Sequence, residues 1–153
     1  MQALELKIPP PVVALIVVAL MWLLAHAAPT LDVPTLLRTA CAAVIGLMGA
    51  AIGVAGKVWF RRAGTTSNPM QPAKASALVT GGIYRLTRNP MYVSLLLLLV
   101  AWAVFLASGW ALLGPLAFVL YIGRFQITPE ERALSALFGA DYAAYTSRVR
   151  RWL

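Results

Sequence analysis

Charge is scarce in this sequence. Only 12% of its 153 residues are Asp, Glu, Lys or Arg, whereas 61% are hydrophobic, and that leaves too little polar surface to cover a soluble globule. The chain has one cysteine, Cys41, and one histidine, His26. A disulfide framework needs paired cysteines, and a structural zinc site needs several Cys or His ligands. We therefore expect neither a disulfide nor a metal site, and interpret Cys41 as a packing residue.

Charged residues are absent from three long blocks, at 8–31, 39–56 and 89–123. A bilayer core about 30 Å thick needs roughly 20 apolar helical residues, so the first two blocks each supply one transmembrane helix. The third block has 35 residues, too many for one crossing, and Ala107-Ser108-Gly109 marks a turn that makes it a helical hairpin. The sequence therefore predicts an all-α integral membrane protein with four transmembrane helices, at about residues 9–29, 36–59, 90–107 and 109–125.

Basic residues collect on one side of these predicted helices. Six lie from Lys57, near the end of the second span, to Arg88, and five lie from Arg124, at the end of the fourth span, onward, whereas the first outer loop has Arg38 alone and the hairpin turn has none. By the positive-inside rule, the loop at 61–89, the tail at 126–153 and both termini face the cytoplasm. We therefore interpret the net charge of +8 as an orientation signal and a contact with membrane lipids, and expect no nucleic-acid partner.

Local signals predict where helices begin, end and pack. Asn89 and Pro90 suit the N-cap and the first position of the third span. Thr128-Pro129-Glu130-Glu131 matches a capping box, which predicts a new helix in the tail. Gly139 predicts the end of that helix, and the tail helices are too polar to span, so we expect them at the cytoplasmic interface. In the second span, the spacing of Gly49 and Gly53 is typical of a close helix–helix seam.

Two polar clusters meet at the cytoplasmic mouth of the hairpin. Residues 81–92 precede its first limb and residues 124–145 follow its second, and a tight hairpin brings its two ends together. The clusters combine Arg, Glu and Tyr side chains. Arg binds carboxylates, carboxylates accept hydrogen bonds from hydroxyls, and Tyr stacks on aromatic bases. Each residue also has a plainer interpretation, as an interfacial Arg, an aromatic-belt Tyr, or, for Glu131, the partner in a capping box.

These segments carry a family resemblance. The run from Gly82 to Tyr92, the apolar hairpin, and then the runs Pro129 to Leu134 and Phe138 to Tyr145 resemble the isoprenylcysteine carboxyl methyltransferase family. That family belongs with the phospholipid methyltransferases and related bacterial membrane enzymes. The resemblance, which covers residues 80–153, implies S-adenosyl-L-methionine bound between the last hairpin and the C-terminal helices. It also implies a site open to cytosol and lipid, here in a bacterial inner membrane.

By position, residues 88–92 match the family's Arg-His-Pro-x-Tyr segment, and Glu130-Glu131 its paired glutamates. Asn89 stands where many members have a histidine, and it cannot titrate. The resemblance therefore implies methylation of a lipophilic small molecule or lipid-linked acceptor with an ionised nucleophile, such as an isoprenylcysteine carboxylate or a thiol. Phospholipid N-methylation and a non-catalytic membrane scaffold are the alternatives.

The candidate site residues follow from this resemblance and from the two clusters. We expect catalytic roles for Arg88 and Arg124. The expected cofactor-binding residues are Tyr84, Arg88, Asn89, Pro90, Tyr92, Glu130, Glu131, Tyr142 and Tyr145.

Overall fold

The architecture is helical throughout the residues that the structure, a computed structural model, describes, namely 5–27, 29–64 and 70–153. Ala28 and residues 65–69 of the predicted cytoplasmic loop lie outside this range. The α-helices are α1 (Pro10–Ala27), α2 (Thr35–Arg62), α3 (Pro90–Leu106), α4 (Leu113–Ile122) and α5 (Thr128–Thr146). Short helical turns lie between them, at Pro72–Lys74, Gly82–Arg85, Gly109–Leu112 and Gly123–Ile127.

Within the described residues, three helical segments are long and apolar enough to cross a bilayer. They are α1, α2 and the run of helical segments from Gly109 to Thr146, with mean hydropathies of 2.1, 1.9 and 1.4 over their most apolar 18 residues. The apolar helix α3 has 17 residues and is about 26 Å long. Large apolar side chains such as Leu15 and Leu47 are exposed on these helices, as expected where lipid covers them. The fold is that of an all-α integral membrane protein, and a fourth crossing by α3 stays a prediction.

A tight turn joins α3 to the helix that follows. Ala107 has a φ of 48° and ends α3 in the left-handed conformation, and its carbonyl accepts a hydrogen bond of 2.7 Å from the amide of Leu31, in the segment that joins α1 to α2. The predicted hairpin turn at residues 107–109 is therefore confirmed.

Glycines bring α2 and α3 into close contact. A Cβ placed on Gly49 would lie 3.0 Å from Leu97 Cβ and 3.1 Å from Ser94 O, and one on Gly53 would lie 2.6 Å from Ser94 Oγ. Since larger side chains would force the helices apart, the predicted seam is confirmed.

The predicted capping box at Thr128 is wrong. Thr128 has helical angles, φ −58° and ψ −47°, and its hydroxyl donates to the carbonyl of Gly123 at 2.8 Å. The chain runs from α4 through a π-helical turn, Gly123–Ile127, directly into α5. With no break in the helix, no free backbone amide at Thr128 needs a cap. Gly139 does interrupt the tail helix, with φ 45° and ψ −116°.

Two apolar clusters hold these elements together. The larger one joins α1, α3 and α4 through fully buried side chains such as Met21, Leu99 and Phe118. The smaller one packs the loop against α5 and consists of Val79, Tyr84, Tyr142, Tyr145 and Val149. This second cluster fixes the loop over the end of the bundle where the polar residues lie.

Candidate active site

A cavity of about 280 Å³ opens at the end of the bundle where α3 begins and α5 follows the π turn. It is bounded by the start of α1, the end of α2, the loop, the start of α3 and the first turns of α5. Its lining is mostly apolar, with a few polar groups. The lining residues are Pro10, Pro11, Lys57, Phe60, Pro72, Ala75, Tyr84, Arg88, Asn89, Pro90, Met91, Tyr92, Leu95, Glu130 and Leu134.

The segment 88–92 is held at the cavity by the C-terminal residues. The Arg88 amide donates to Arg150 O at 3.0 Å, and the Asn89 side-chain amide donates to Arg151 O at 2.9 Å. Pro90 occupies the first turn of α3 as predicted, but Asn89 makes no side-chain cap. The predicted N-cap role of the Asn89 side chain is therefore wrong, because that side chain donates its hydrogen bond to the Arg151 carbonyl instead.

Glu130 is the carboxylate that lines the cavity. The Tyr92 hydroxyl donates to its Oε1, and the Gln126 amide donates to the same oxygen at 2.6 Å. Glu130 lies beyond the apolar part of its helix, since about 30 Å of bilayer accommodates only roughly 20 of the 38 residues from Gly109 to Thr146. Burial raises the pKa of the Glu130 carboxyl to about 7, although the hydrogen bonds from Tyr92 and Gln126 act in the opposite direction.

Glu131 does not line the cavity. Its carboxylate accepts two hydrogen bonds from the Arg151 guanidinium, at 3.1 Å and 2.5 Å, and lies 3.3 Å from Arg88 Nη1. Its role is therefore neither a helix cap nor a direct cavity contact, and Glu131 instead links Arg88 to the C-terminal segment.

The expected aromatic residues divide between the cavity and its support. Tyr84 lines the cavity and its ring meets Phe60 edge-on, with centroids 5.4 Å apart. The Tyr145 hydroxyl donates to the Tyr84 carbonyl at 2.7 Å. Tyr142 and Tyr145 are buried but do not line the cavity. They pack with Tyr84 in the apolar cluster that holds the loop against α5. Gly82, with φ 56°, has no room for a Cβ beside Trp59.

Arg124 is not brought to the cavity. Its guanidinium donates to Glu5 Oε1 at 2.8 Å and lies over the Phe125 ring, and its side chain is 44% exposed. Glu5 also pairs with Arg132. The expected catalytic role of Arg124 has no support in this geometry, because the side chain belongs to an ion-pair cluster with the N-terminal segment.

Sequence reasoning missed several residues that line the cavity or hold its side chains in place. Lys57 follows the uncharged block of α2, and Arg88 precedes the uncharged block of α3. Both positions lie at the same predicted end of the bundle, and this similarity could have identified Lys57 as a residue of the site. Gln126 lies four residues before Glu130, on the same helix face. The contribution of Pro10 and Pro11 carries no such signal, because only the packing of α1 brings them close.

Comparison with known proteins identifies the family. The family profile described as phospholipid methyltransferase matches residues 37–141. The chain is 49% identical over 63 residues to an uncharacterized protein of Haemophilus influenzae, a match that covers 41% of this chain and 100% of that one. Two rice proteins, from the indica and japonica subspecies of Oryza sativa, are each described as a probable protein-S-isoprenylcysteine O-methyltransferase. Each is 37% identical over 79 residues.

The match to the rice proteins covers 50% of this chain and 40% of their length. No solved structure matches the chain. The family profile spans well over half of the sequence, including α3, α4 and both polar segments of the cavity. The chain therefore belongs to the phospholipid methyltransferase family of membrane proteins.

Proposed function

We propose that this protein is an S-adenosyl-L-methionine-dependent methyltransferase that modifies a lipophilic acceptor at the cytoplasmic face of a bacterial inner membrane. The observation that carries the proposal is the cavity itself. It brings Arg88, Asn89, Pro90 and Tyr92 together with Glu130, at the polar end of otherwise apolar helices.

The residues of the cavity fit the cofactor. A nucleoside with an amino-acid side chain offers hydroxyls, an aromatic base and a carboxylate. Glu130 can accept hydrogen bonds from hydroxyls, and Tyr84 and Phe60 supply aromatic surface. Arg88 is a half-buried cation in the lining, and a guanidinium can pair with a carboxylate. A volume of about 280 Å³ is close to the lower end of small-molecule pockets, roughly 300 Å³.

The chain contributes binding and orientation more than covalent chemistry. The cofactor, when bound, supplies an electrophilic methyl group on a sulfonium. Tyr92 and Gln126 fix Glu130 so that its carboxylate keeps one orientation toward the cavity. Apolar side chains, among them Met91, Leu95 and Leu134, exclude water from around the reacting groups. Such alignment of donor and acceptor is the main source of rate in an in-line displacement.

The acceptor enters from the membrane side in this proposal. The cavity reaches the end of α2 at Lys57 and Phe60, and α2 is the helix with the largest lipid-facing surface, because only Gly49 and Gly56 of it are buried. A lipid-soluble acceptor can therefore approach along α2. Lys57 would meet an anionic group on it at the interface.

Phospholipid N-methylation is the second candidate, and Glu130 is the observation that favours it. An amine acceptor has to lose a proton before it attacks. Without a histidine nearby, the sequence favoured an ionised carboxylate or thiolate. A carboxyl whose pKa is raised to about 7 supplies a proton acceptor in the cavity. The family profile is itself described as phospholipid methyltransferase, whereas the rice relatives carry the isoprenylcysteine description.

Binding of S-adenosylhomocysteine tests the proposed function and separates it from the scaffold alternative. The purified protein in detergent should bind the ligand in a calorimetric titration. Glu130→Gln should weaken binding about 10- to 100-fold, which corresponds to one charge-assisted hydrogen bond. Asp141→Asn is the matched control, because Asp141 is an exposed carboxylate on the same helix and its loss should leave binding unchanged. A wild-type protein that ignores S-adenosylhomocysteine would refute the proposal.

A further inference from the structure

One carboxylate lies between two guanidinium groups beside the cavity. Arg151 contacts Glu131 at two points, Nε to Oε1 at 3.1 Å and Nη2 to Oε2 at 2.5 Å. Arg88 reaches it with Nη1 alone, at 3.3 Å from Oε1. The better-aligned partner of Glu131 is therefore Arg151, because two parallel N–H···O bonds bind a carboxylate more strongly than one longer contact. The three side chains together carry one net positive charge.

Arg88 is left incompletely paired by this arrangement. Its side chain is 16% exposed and lines the cavity, and its further neighbour Tyr142 is neutral. A half-buried guanidinium whose carboxylate is shared with a second arginine keeps positive charge, and that charge favours an anion in the adjoining space. If Glu131 paired with Arg88 alone, the two charges would cancel, and that preference would largely disappear.

The backbone fixes Arg151 in the place where it can hold Glu131. The Arg151 carbonyl accepts from Asn89 Nδ2 at 2.9 Å and from Thr87 Oγ1 at 3.4 Å. The preceding Val149 is buried in the apolar cluster against α5. The C-terminal segment that carries Arg151 is therefore bonded to Thr87 and Asn89, the residues on either side of Arg88. These contacts keep Arg88 and Arg151 at a fixed separation.

From this geometry we propose that Arg151 is a positioning residue. It holds Glu131 by a two-point contact, and so keeps the guanidinium of Arg88 available as the subsite for the carboxylate of the bound cofactor. This inference rests on the proposed function. It assigns Glu131 to the control of Arg88 and removes it from direct contact with the cofactor.

A comparison of two ligands tests the role of Arg151. S-adenosylhomocysteine carries the amino-acid carboxylate, and 5′-methylthioadenosine lacks it. In Arg151→Gln, Glu131 turns to Arg88 and neutralises it, so affinity for S-adenosylhomocysteine should fall roughly tenfold. Affinity for 5′-methylthioadenosine should stay within about twofold of the wild-type value. A variant that merely loosened the fold would weaken both ligands alike.

Two further variants complete the design. In Arg151→Gln/Glu131→Gln no carboxylate remains to neutralise Arg88, so binding of S-adenosylhomocysteine should return to within about threefold of wild type. Arg148→Gln is the matched control, because Arg148 is exposed in the turn after α5 and its Nε donates to Ala144 O in that helix.

The outcomes separate this inference from the proposed function. If the wild-type protein binds neither ligand, the proposed function fails. If it binds both, the inference is overturned by an Arg151→Gln variant that loses both ligands equally, or that keeps its full affinity for S-adenosylhomocysteine. A double variant that binds no better than Arg151→Gln would overturn it as well.

Discussion

Glu130 and Glu131 are adjacent residues of α5, and successive residues of a helix project about 100° apart. Glu130 faces the cavity with two neutral donors, Tyr92 and Gln126, whereas Glu131 faces two arginines. Burial without a cation raises the pKa of Glu130 to about 7. One carboxylate is thus a titrating group at neutral pH, while the other is part of an ion-pair network.

The raised pKa of Glu130 predicts a pH-dependent stability. Folding raises this pKa from 4.5 to about 7, so the folded state binds the proton more tightly than the unfolded state does. The free energy of unfolding is then greatest below the unfolded pKa, and it falls as the pH rises toward the folded pKa. Between about pH 5 and pH 8, wild type should lose on the order of 1–3 kcal/mol relative to Glu130→Gln.

Thermal unfolding in detergent at the two pH values measures this difference. The exposed Asp141 again supplies the control, since Asp141→Asn should keep the wild-type pH dependence. Parallel pH profiles for wild type and Glu130→Gln would show that Glu130 does not carry the effect.

At the residue scale, the sequence predicts which residues carry suitable side chains better than it predicts where those side chains point. Of the expected site residues, Tyr84, Arg88, Asn89, Pro90, Tyr92 and Glu130 line the cavity. Arg124 and Glu131 satisfy the same chemical criteria but face elsewhere. Their directions depend on the π turn and on the positions of Glu5 and Arg151, which are tertiary contacts that no local pattern encodes.

The π turn Gly123–Ile127 is the element that sets the direction of α5. A π turn holds one more residue than an α turn. Compared with an uninterrupted α-helix of the same number of residues, it therefore changes the direction in which the side chains of α5 point relative to those of α4. Here it lies between the apolar α4 and the carboxylates of α5. The N-terminal segment supports it, because the Leu6 amide donates to the Phe125 carbonyl at 3.1 Å. The rotation is what places Gln126 and Glu130 against Tyr92.

Adding one residue after this turn should disconnect the site without unfolding the bundle. One alanine inserted between Ile127 and Thr128 would leave the π turn in place and rotate α5 by about 100° relative to α4. Glu130 would leave Tyr92, and affinity for S-adenosylhomocysteine should fall by more than about tenfold.

An alanine inserted after Gly64 is the comparison for this experiment. Gly64 follows α2 in an exposed turn, so that insertion lengthens the chain equally while leaving α4 and α5 in register. Retention of wild-type affinity by the insertion after Ile127 would show that the helical register set at the π turn does not position Glu130.

At the element scale, sequence patterns predicted the apolar helices, the hairpin turn, a close packing seam on α2 and the break at Gly139, whereas the partner of that seam, α3, came from the structure. They failed at Thr128, where the residues of a capping box lie inside a continuous helix. Capping preference is a local signal worth about 1 kcal/mol. The packing of a long helix against its neighbours outweighs it, and the sequence alone does not show which of the two prevails.

The whole molecule is asymmetric in charge. Among the residues that the structure describes, Arg38 is the single Lys or Arg near the end that carries the hairpin turn, whereas the opposite end holds the cavity and the arginines around it. The positive-inside rule therefore predicts that the cavity faces the cytoplasm.

Cysteine labelling tests this orientation. In a Cys41→Ala background, Ser147→Cys should react with a membrane-impermeant maleimide only in inverted vesicles, and Gly109→Cys only in intact cells. Both sites are exposed, and a Cβ at Gly109 would meet nothing within 4 Å. Ser108, at the centre of the turn, is only 3% exposed and is a poor target. Labelling of Gly109→Cys from the cytoplasmic side would contradict the topology.

The hydrogen bonds from Thr87, Arg88 and Asn89 to residues 150 and 151 also determine when the site can form. The apolar helices are all synthesised before residue 150. The contacts that hold Arg88 and Asn89 at the cavity are therefore the last of the site to become available during synthesis, and a chain that stopped before residue 150 would contain every apolar helix and still lack them.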